Sequence, residues 1–405
     1  VAAHLPSPWL VMAAWTIGGL YALVGAIQIA ELGTMLPRSG GQYVFSRYAL
    51  GEYPGFIVGW SDWLSTCGTA AAVSLVIAEF SGALFPVLDR YQIALAISIV
   101  MVFALAQWRG IREGSTVQNV TSAMKALAFA ALVAASFALG SGAVPSAAAA
   151  PTGLSLGVAF VLSLQAVIYT YDGWTGVIYF SEEVAKPDRD IPRSLIGGVL
   201  AIIATYLLVN LAFLYVLPVS AMAGEAFAAG AVARAIFGEL GDTLFSVLTI
   251  VALLSAVNAN HLMASRVLYA MSADGLVSSR AARVNAGGTP AVALFFSAAV
   301  AVLFVVFGRT FGTVMTVLAF FFVANYALSF ISLFVLRRRE PEKRRPYRAW
   351  GYPWTTGLAL GGSLAFLAGA IAADTRNSLY ALLLLAASYP GFRLSKSMTG
   401  LQDLH

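Results

Sequence analysis

The chain has 405 residues, 60% of them hydrophobic and only 11% charged, with a mean hydropathy of +0.82. A soluble protein of this length carries far more charge, so the composition indicates an all-α polytopic membrane protein. In a soluble chain the net charge of +5 would suggest nucleic-acid binding; here membrane topology accounts for the basic residues, and no nucleic-acid partner is implied.

A membrane span needs about 20 apolar residues. Eleven runs read as spans: 9–36, 54–86, 91–108, 118–141, 154–180, 193–217, 243–271, 290–308, 311–336, 355–373 and 377–392. The chain opens Val1-Ala2-Ala3-His4-Leu5-Pro6, with no initiator Met and no apolar span before residue 9. A preceding span is therefore expected to be missing. Cys67, the single cysteine, sits in an apolar run and reads as a small packing residue; it excludes an intrachain disulfide. The gap 142–153 is uncharged and rich in Ala, Pro, Ser and Gly, as expected of a plain surface loop. The gap 218–242 holds a short amphipathic segment with Glu225, Arg234, Glu239 and Asp242. Arg337 to Trp350 reads as a solvated, strongly basic loop.

Counting Lys and Arg on alternate sides of these spans places eighteen on one side and four on the other. Lys125 and Arg266 fall inside spans and complete the 24. The basic side is expected to be cytoplasmic, in an inner membrane, and the first span then runs inward.

The fifth run differs from the others. Asp172-Gly173 interrupts it, flanked by Tyr169, Thr170, Tyr171 and Trp174, and it ends in a charged loop with Pro187 and Pro192. A lipid-facing helix does not accommodate a mid-span Asp-Gly pair, whose freed backbone groups find no water. Interrupted helices are tolerated where they line a polar cavity, as in transporter substrate sites. Asp172 either lines such a cavity or caps the second half-helix. Half-helix N-termini attract a carboxylate and freed carbonyls attract an ammonium, a pairing that suits an α-amino acid head group. The three aromatics read as a cavity wall, a gate or a cation–π face, or as interhelical packing.

Other intramembrane polar groups are weaker candidates. Lys125 reads as a fixed cation bracing the site, a proton-titrating group, or a side chain snorkelling to the interface. Arg266 is placed to snorkel. Asn258 and His261, three residues apart, share a face with Ser255 and Asn260 nearby. Ser65, Thr66 and Thr69 in the second span and Asn325 in the ninth are similar. Glu31 is expected to reach the cytoplasmic interface, while Asp62 and Glu79 are ambiguous. Enzyme signatures are absent: His4, His261 and His405 do not cluster, and there is no P-loop, no HExxH spacing and no nucleophile elbow. Without a nucleotide motif, any transport is secondary, and neither cofactor nor metal is expected.

Four stretches carry a family resemblance. Pro37-Arg38-Ser39-Gly40-Gly41-Gln42-Tyr43 looks like a P-x-S-G-G-x-Y motif after the second helix. Tyr171-Asp172-Gly173-Trp174, followed by Ser181-Glu182-Glu183-Val184, Lys186-Pro187 and Ile191-Pro192-Arg193, looks like a sixth helix and its tail. Ser265-Arg266 through Asp274-Gly275-Leu276 looks like the end of the eighth helix. The basic run with Pro346-Tyr347 and Tyr352-Pro353 looks like the loop after the tenth. Together they resemble the amino acid–polyamine–organocation superfamily, in particular bacterial permeases similar to the L-type amino acid transporter branch.

The resemblance implies a LeuT-type fold of inverted five-helix halves, with the first helix missing here. Residues 9–141 would form the shortened first half, 154–336 the second, and 355–392 two extra helices. It implies amino acid transport by sodium-independent exchange or proton coupling. Tyr169 falls where the family has an aromatic gate, Tyr171 to Trp174 on its unwound segment, and Lys125 on a helix-five lysine replacing a sodium ion. Thr66, Thr69, Asn258, Asn260 and Asn325 match cavity-lining positions loosely. Asp172 departs from the glycine usual in animal members of the branch, so substrate preference does not transfer. The partners implied are an amino acid, the lipid bilayer and protons. Alternatives are a polyamine or organic-cation carrier, or a non-transporting sensor or subunit with the same fold.

Overall fold

The computed structural model describes residues 1–405 apart from 110, 141, 143–154, 224, 226–227, 309–310, 374 and 403–405. The expected surface loop at 142–153 therefore lies, but for Gly142, outside the described residues. The helices are α1 (Pro8–Met35), α2 (Gln42–Leu50), α3 (Glu52–Leu84), α4 (Pro86–Asp89), α5 (Gln92–Arg109), α6 (Ile111–Leu139), α7 (Leu156–Tyr171), α8 (Pro187–Val216), α9 (Val219–Met222), α10 (Ala228–Phe237), α11 (Glu239–Ala273), α12 (Ala291–Gly308), α13 (Phe311–Arg339), α14 (Trp354–Ala373), α15 (Thr375–Ala386) and α16 (Ser388–Gln402). No strand occurs among the described residues. Among the described residues, ten helical units are long and apolar enough to cross a membrane.

The expected eleventh span, 377–392, differs. It is divided between α15 and α16 at Ala387. Pro390 supplies no N–H for the Ala386 carbonyl, and its ring crowds that turn.

Helix lengths pair across the chain. α1 and α8 have 28 and 30 residues, α3 and α11 have 33 and 35, α5 and α12 have 18 each, and α6 and α13 have 29 each. The short α2 after α1 is matched by α10 after α8, with 9 and 10 residues. α3 packs most extensively on α11, and α1 on α8. Contact between length-matched mates is the arrangement that an internal pseudo-two-fold axis produces.

Small residues set the spacing around the interrupted helix. A Cβ on Gly18 would lie 2.5 Å from Val167, and one on Gly25 would lie 3.0 Å from the Trp174 ring. These glycines allow α1 to approach α7 closely, as small residues do between membrane helices.

The basic face is tied together by polar contacts. Asp274, just after α11, accepts from Arg38 at 2.9 Å and from Tyr43 at 2.9 Å, and pairs with Arg47 at 3.0 Å. Burial, and then the adjoining Asp274 charge, raise the Tyr43 phenol pKa above its ordinary value, so it stays a donor. The Ser39 hydroxyl accepts from the Glu182 backbone N–H at 3.2 Å. Gly41 has φ +71, and a Cβ there would lie 2.6 Å from the Tyr179 ring. Both backbone conformation and space therefore demand glycine.

Three expectations are revised here. Arg266 does not snorkel: it is 5% exposed, pairs with Glu183 at 3.1 Å and lies over the Phe180 ring. Glu31 does not reach solvent. It is fully buried, with Arg337 at 2.6 Å, Arg345 at 3.1 Å and the Ala349 backbone N–H donating to it. The basic loop is correspondingly not all solvated. Arg345 turns inward and donates to the carbonyls of Leu336, Glu340, Pro341 and Lys343. A carboxylate on α1 thus organises the α13–α14 connection.

Removing one member of a buried ion pair leaves the other charge uncompensated. Glu31→Ala is expected to cost about 3–5 kcal/mol, read as a lowered unfolding midpoint of the purified protein. Glu31→Ala combined with Arg345→Leu is expected to recover part of that loss, and strict additivity of the two changes would refute the coupling.

Candidate substrate site at the interrupted helix

α7 ends at Tyr171, with Asp172 in an extended conformation at its C-cap. Residues 172–175 form a turn, and a 3-10 helix, Gly176–Glu183, continues the span toward the basic face. The interruption expected at Asp172-Gly173 is therefore present. Gly173 has φ +96, a conformation that L side chains rarely adopt, and a Cβ there would meet nothing within 4 Å. Its constraint is the backbone, and the space beside it is open.

Asp172 does not cap the second half. The 3-10 helix has Thr175 at its N-cap, with no side-chain cap bond. One oxygen of Asp172 instead accepts a short hydrogen bond from the Tyr326 hydroxyl on α13. The Tyr326 ring stacks on Trp174, with centroids 5.1 Å apart and planes at 21°. One turn earlier on α13, Phe322 packs against Tyr169 at 6.3 Å. Residues 322 and 326 share a helix face, and that face forms one wall of the break.

Asp172, Gly173, Trp174 and Tyr169 thus come together with α13. Tyr171 turns away: its hydroxyl donates to the Trp15 carbonyl, and its ring joins Trp15 and Tyr206 in a T-shaped aromatic cluster. Thr170 is exposed, and its carbonyl accepts from Tyr206. Asn325 lies on the buried α3–α13 interface, where its Oδ1 accepts from Ser61 at 2.8 Å.

The remaining candidates sit apart. Asn258 is bonded to Gln107 across the α5–α11 interface. Asn260 donates to Ala256 in its own helix, and Thr66 donates to the Asp62 carbonyl in its own helix. The Thr69 hydroxyl is buried without a hydrogen-bond partner among the described residues. Lys125 stands fourteen residues from each end of α6, about 21 Å along the axis. It is half-buried and forms no ion pair among the described residues. The apolar, membrane-spanning part of α6 is Ser122–Leu139, so Lys125 lies one turn inside its start and both the bracing and the snorkelling readings stand.

Tyr326 and Tyr179 were not singled out from sequence. Tyr179, on the 3-10 segment, donates to Asp62 on α3 at 2.7 Å. Tyrosines within apolar runs carry no spacing signal, but Tyr326 lies four residues after Phe322 and adjoins Asn325. Two apolar grooves elsewhere contain none of residues 169–175. One, of about 410 Å³, lies among Leu20, Val24, Leu164 and Leu358; the other, of about 430 Å³, lies among Phe56, Trp63, Phe296 and Leu394. Neither offers the ionic contacts that a zwitterion requires.

Comparisons with known proteins agree with this architecture. The amino acid permease family profile matches residues 1–388. The Serine/threonine exchanger SteT of Bacillus subtilis is 27% identical over 96% of this chain and 89% of its own length. The b(0,+)-type amino acid transporter 1 of Homo sapiens is 28% identical over 82% of this chain and 70% of its own. Solute carrier family 7 member 13 of Mus musculus is 26% identical over 87% and 75%. With an all-α multi-pass architecture, an interrupted helix and a profile match along nearly its whole length, this chain belongs to the amino acid permease family of the amino acid–polyamine–organocation superfamily.

Proposed function

We propose that this chain is a secondary transporter that moves amino acids across the cytoplasmic membrane by alternating access, without sodium, by exchange or with protons. The observation that carries the reading is the interrupted span with open space at Gly173. Its freed backbone groups bind the amino acid's carboxylate and ammonium. Tyr169 closes over the substrate, and Trp174 with Tyr326 forms the opposite wall. Residues 9–141 and 154–336 act as inverted halves that rock about this site, a division that the paired helix lengths support. The exchanger and transporter relatives support an amino acid as the substrate class, and the bacterial relative supports the cytoplasmic membrane. The organic-cation alternative relies on Asp172 as a free counter-charge, and Tyr326 already bonds one of its oxygens.

Uptake and exchange of a radiolabelled amino acid mixture by the native protein in proteoliposomes tests the reading. Transport of at least one amino acid is expected, and no movement of any would refute it. Tyr169→Ala and Gly173→Trp are expected to abolish transport at normal expression, whereas unchanged rates would remove the site from this segment. Tyr326→Phe removes the side-chain donor to Asp172, a loss of about 1.5–3 kcal/mol for a bond to a charged group. It is expected to weaken apparent substrate affinity by about tenfold or more, and an unchanged half-saturation concentration would contradict that role.

A further inference from the structure

Asp62 is a second intramembrane carboxylate, outside the substrate contacts described above. It lies on α3 and is 2% exposed. Tyr179 bonds its Oδ1, while its Oδ2 is buried with no hydrogen-bond donor among the described residues. No Lys, Arg or His forms an ion pair with it there; Arg266 is committed to Glu183. One position earlier, Ser61 holds the Oδ1 of Asn325, and the Nδ2 of Asn325 is likewise buried and unpartnered. Asn325 is 1% exposed. An ionised carboxylate enclosed with a single donor carries a desolvation penalty of several kcal/mol, and a proton on the open oxygen removes it.

We propose that Asp62 is the proton-binding site of the transport cycle, with Tyr179 relaying its protonation state to the 3-10 half of the interrupted helix. The inference rests on the amino acid transport reading and names the ion that drives it. A proton from water on one face of the membrane adds to Oδ2, forming an O–H bond, and leaves to water on the other face. In the ionised state the Tyr179 bond is charge-assisted and about twice as strong as a neutral one. Protonation weakens it and loosens the 3-10 segment from α3. The Tyr179 ring also packs against Gly41, so the change reaches the loop that holds Asp274.

The elements around Asp62 carry these titratable groups: Glu52, Tyr53, Cys67 and Glu79 on α3 itself, Tyr179, Glu182 and Glu183 on the 3-10 segment, Asp172 at the break, Tyr326 and Arg337 to Arg339 on α13, Glu239, Asp242, His261, Arg266 and Tyr269 on α11, and Tyr43, Arg47 and Tyr48 on α2. Of these, Tyr179 bonds Asp62, and Asp172 is the charge that acts on it. α12 has none, and α5 has only Arg109 at its end.

The test uses the native protein in liposomes with the membrane potential clamped. It compares exchange at equal pH with accumulation of the same labelled amino acid under an inward proton gradient. For one proton per substrate, wild type is expected to accumulate up to about tenfold per pH unit. Asp62→Asn is expected to exchange without accumulating, and Asp62→Glu to regain accumulation. Tyr179→Phe removes the bond that favours the ionised form, so its proton drive is expected to persist to higher pH; this variant keeps the proposal testable if Asp62→Asn does not fold. Accumulation by Asp62→Asn equal to wild type would overturn the proposal, as would an unshifted Tyr179→Phe profile. Wild-type exchange that no proton gradient drives, or that sodium drives instead, would overturn it and leave the transport reading intact. Absence of any wild-type exchange would overturn both.

Discussion

Residues 172–175 have left the helical hydrogen-bond ladder inside a membrane-spanning segment, where no bulk water can satisfy them. The protein meets part of that demand locally. The Asp172 N–H returns to the Tyr169 carbonyl, the Gly176 N–H to Gly173 and the Ile178 N–H to Thr175. Tyr206 donates to the Thr170 carbonyl and Tyr326 to the Asp172 carboxylate. The packing of α1, α8 and α13 around this turn follows from it. Glycines on α1 bring that helix close enough to seat Val167 and Trp174, and α13 presents Phe322 and Tyr326 on one face.

Both halves of the interrupted helix are tied to their neighbours by polar bonds. In the first half Tyr171 packs among Trp15 and Tyr206 and donates to the Trp15 carbonyl, and Tyr206 donates to the Thr170 carbonyl. The second is held by polar bonds: Tyr179 to Asp62, Glu182 to Ser39 and Glu183 to Arg266. Asp274 gathers Arg38, Tyr43 and Arg47 at the same face.

Much of this architecture was legible in the sequence because hydropathy and charge report directly on the bilayer. Ten of the eleven apolar runs correspond to helical units able to span. The interruption at Asp172-Gly173 was visible because such a pair has no reason to occur in a lipid-facing helix. Periodicity does not report tertiary partners. It gave no means of knowing that Tyr326 reaches Asp172, or that Asn258 is occupied by Gln107. Charge counts alone misread Glu31 and Arg345: each is costly to bury singly and was assigned to solvent, but paired across α1 and the α13–α14 connection both are enclosed.

An interrupted helix that lines the substrate path is accessible from water, and cysteine labelling tests that directly. Cys67 is buried at 1% exposure, so a cysteine introduced at Trp174, on the wall of the break beside Tyr326, is read over little background. In the native protein in membranes, Trp174→Cys is expected to react with a membrane-impermeant maleimide, and a transported amino acid is expected to slow that reaction. Labelling that no amino acid alters, measured on a variant that still transports, would contradict the account.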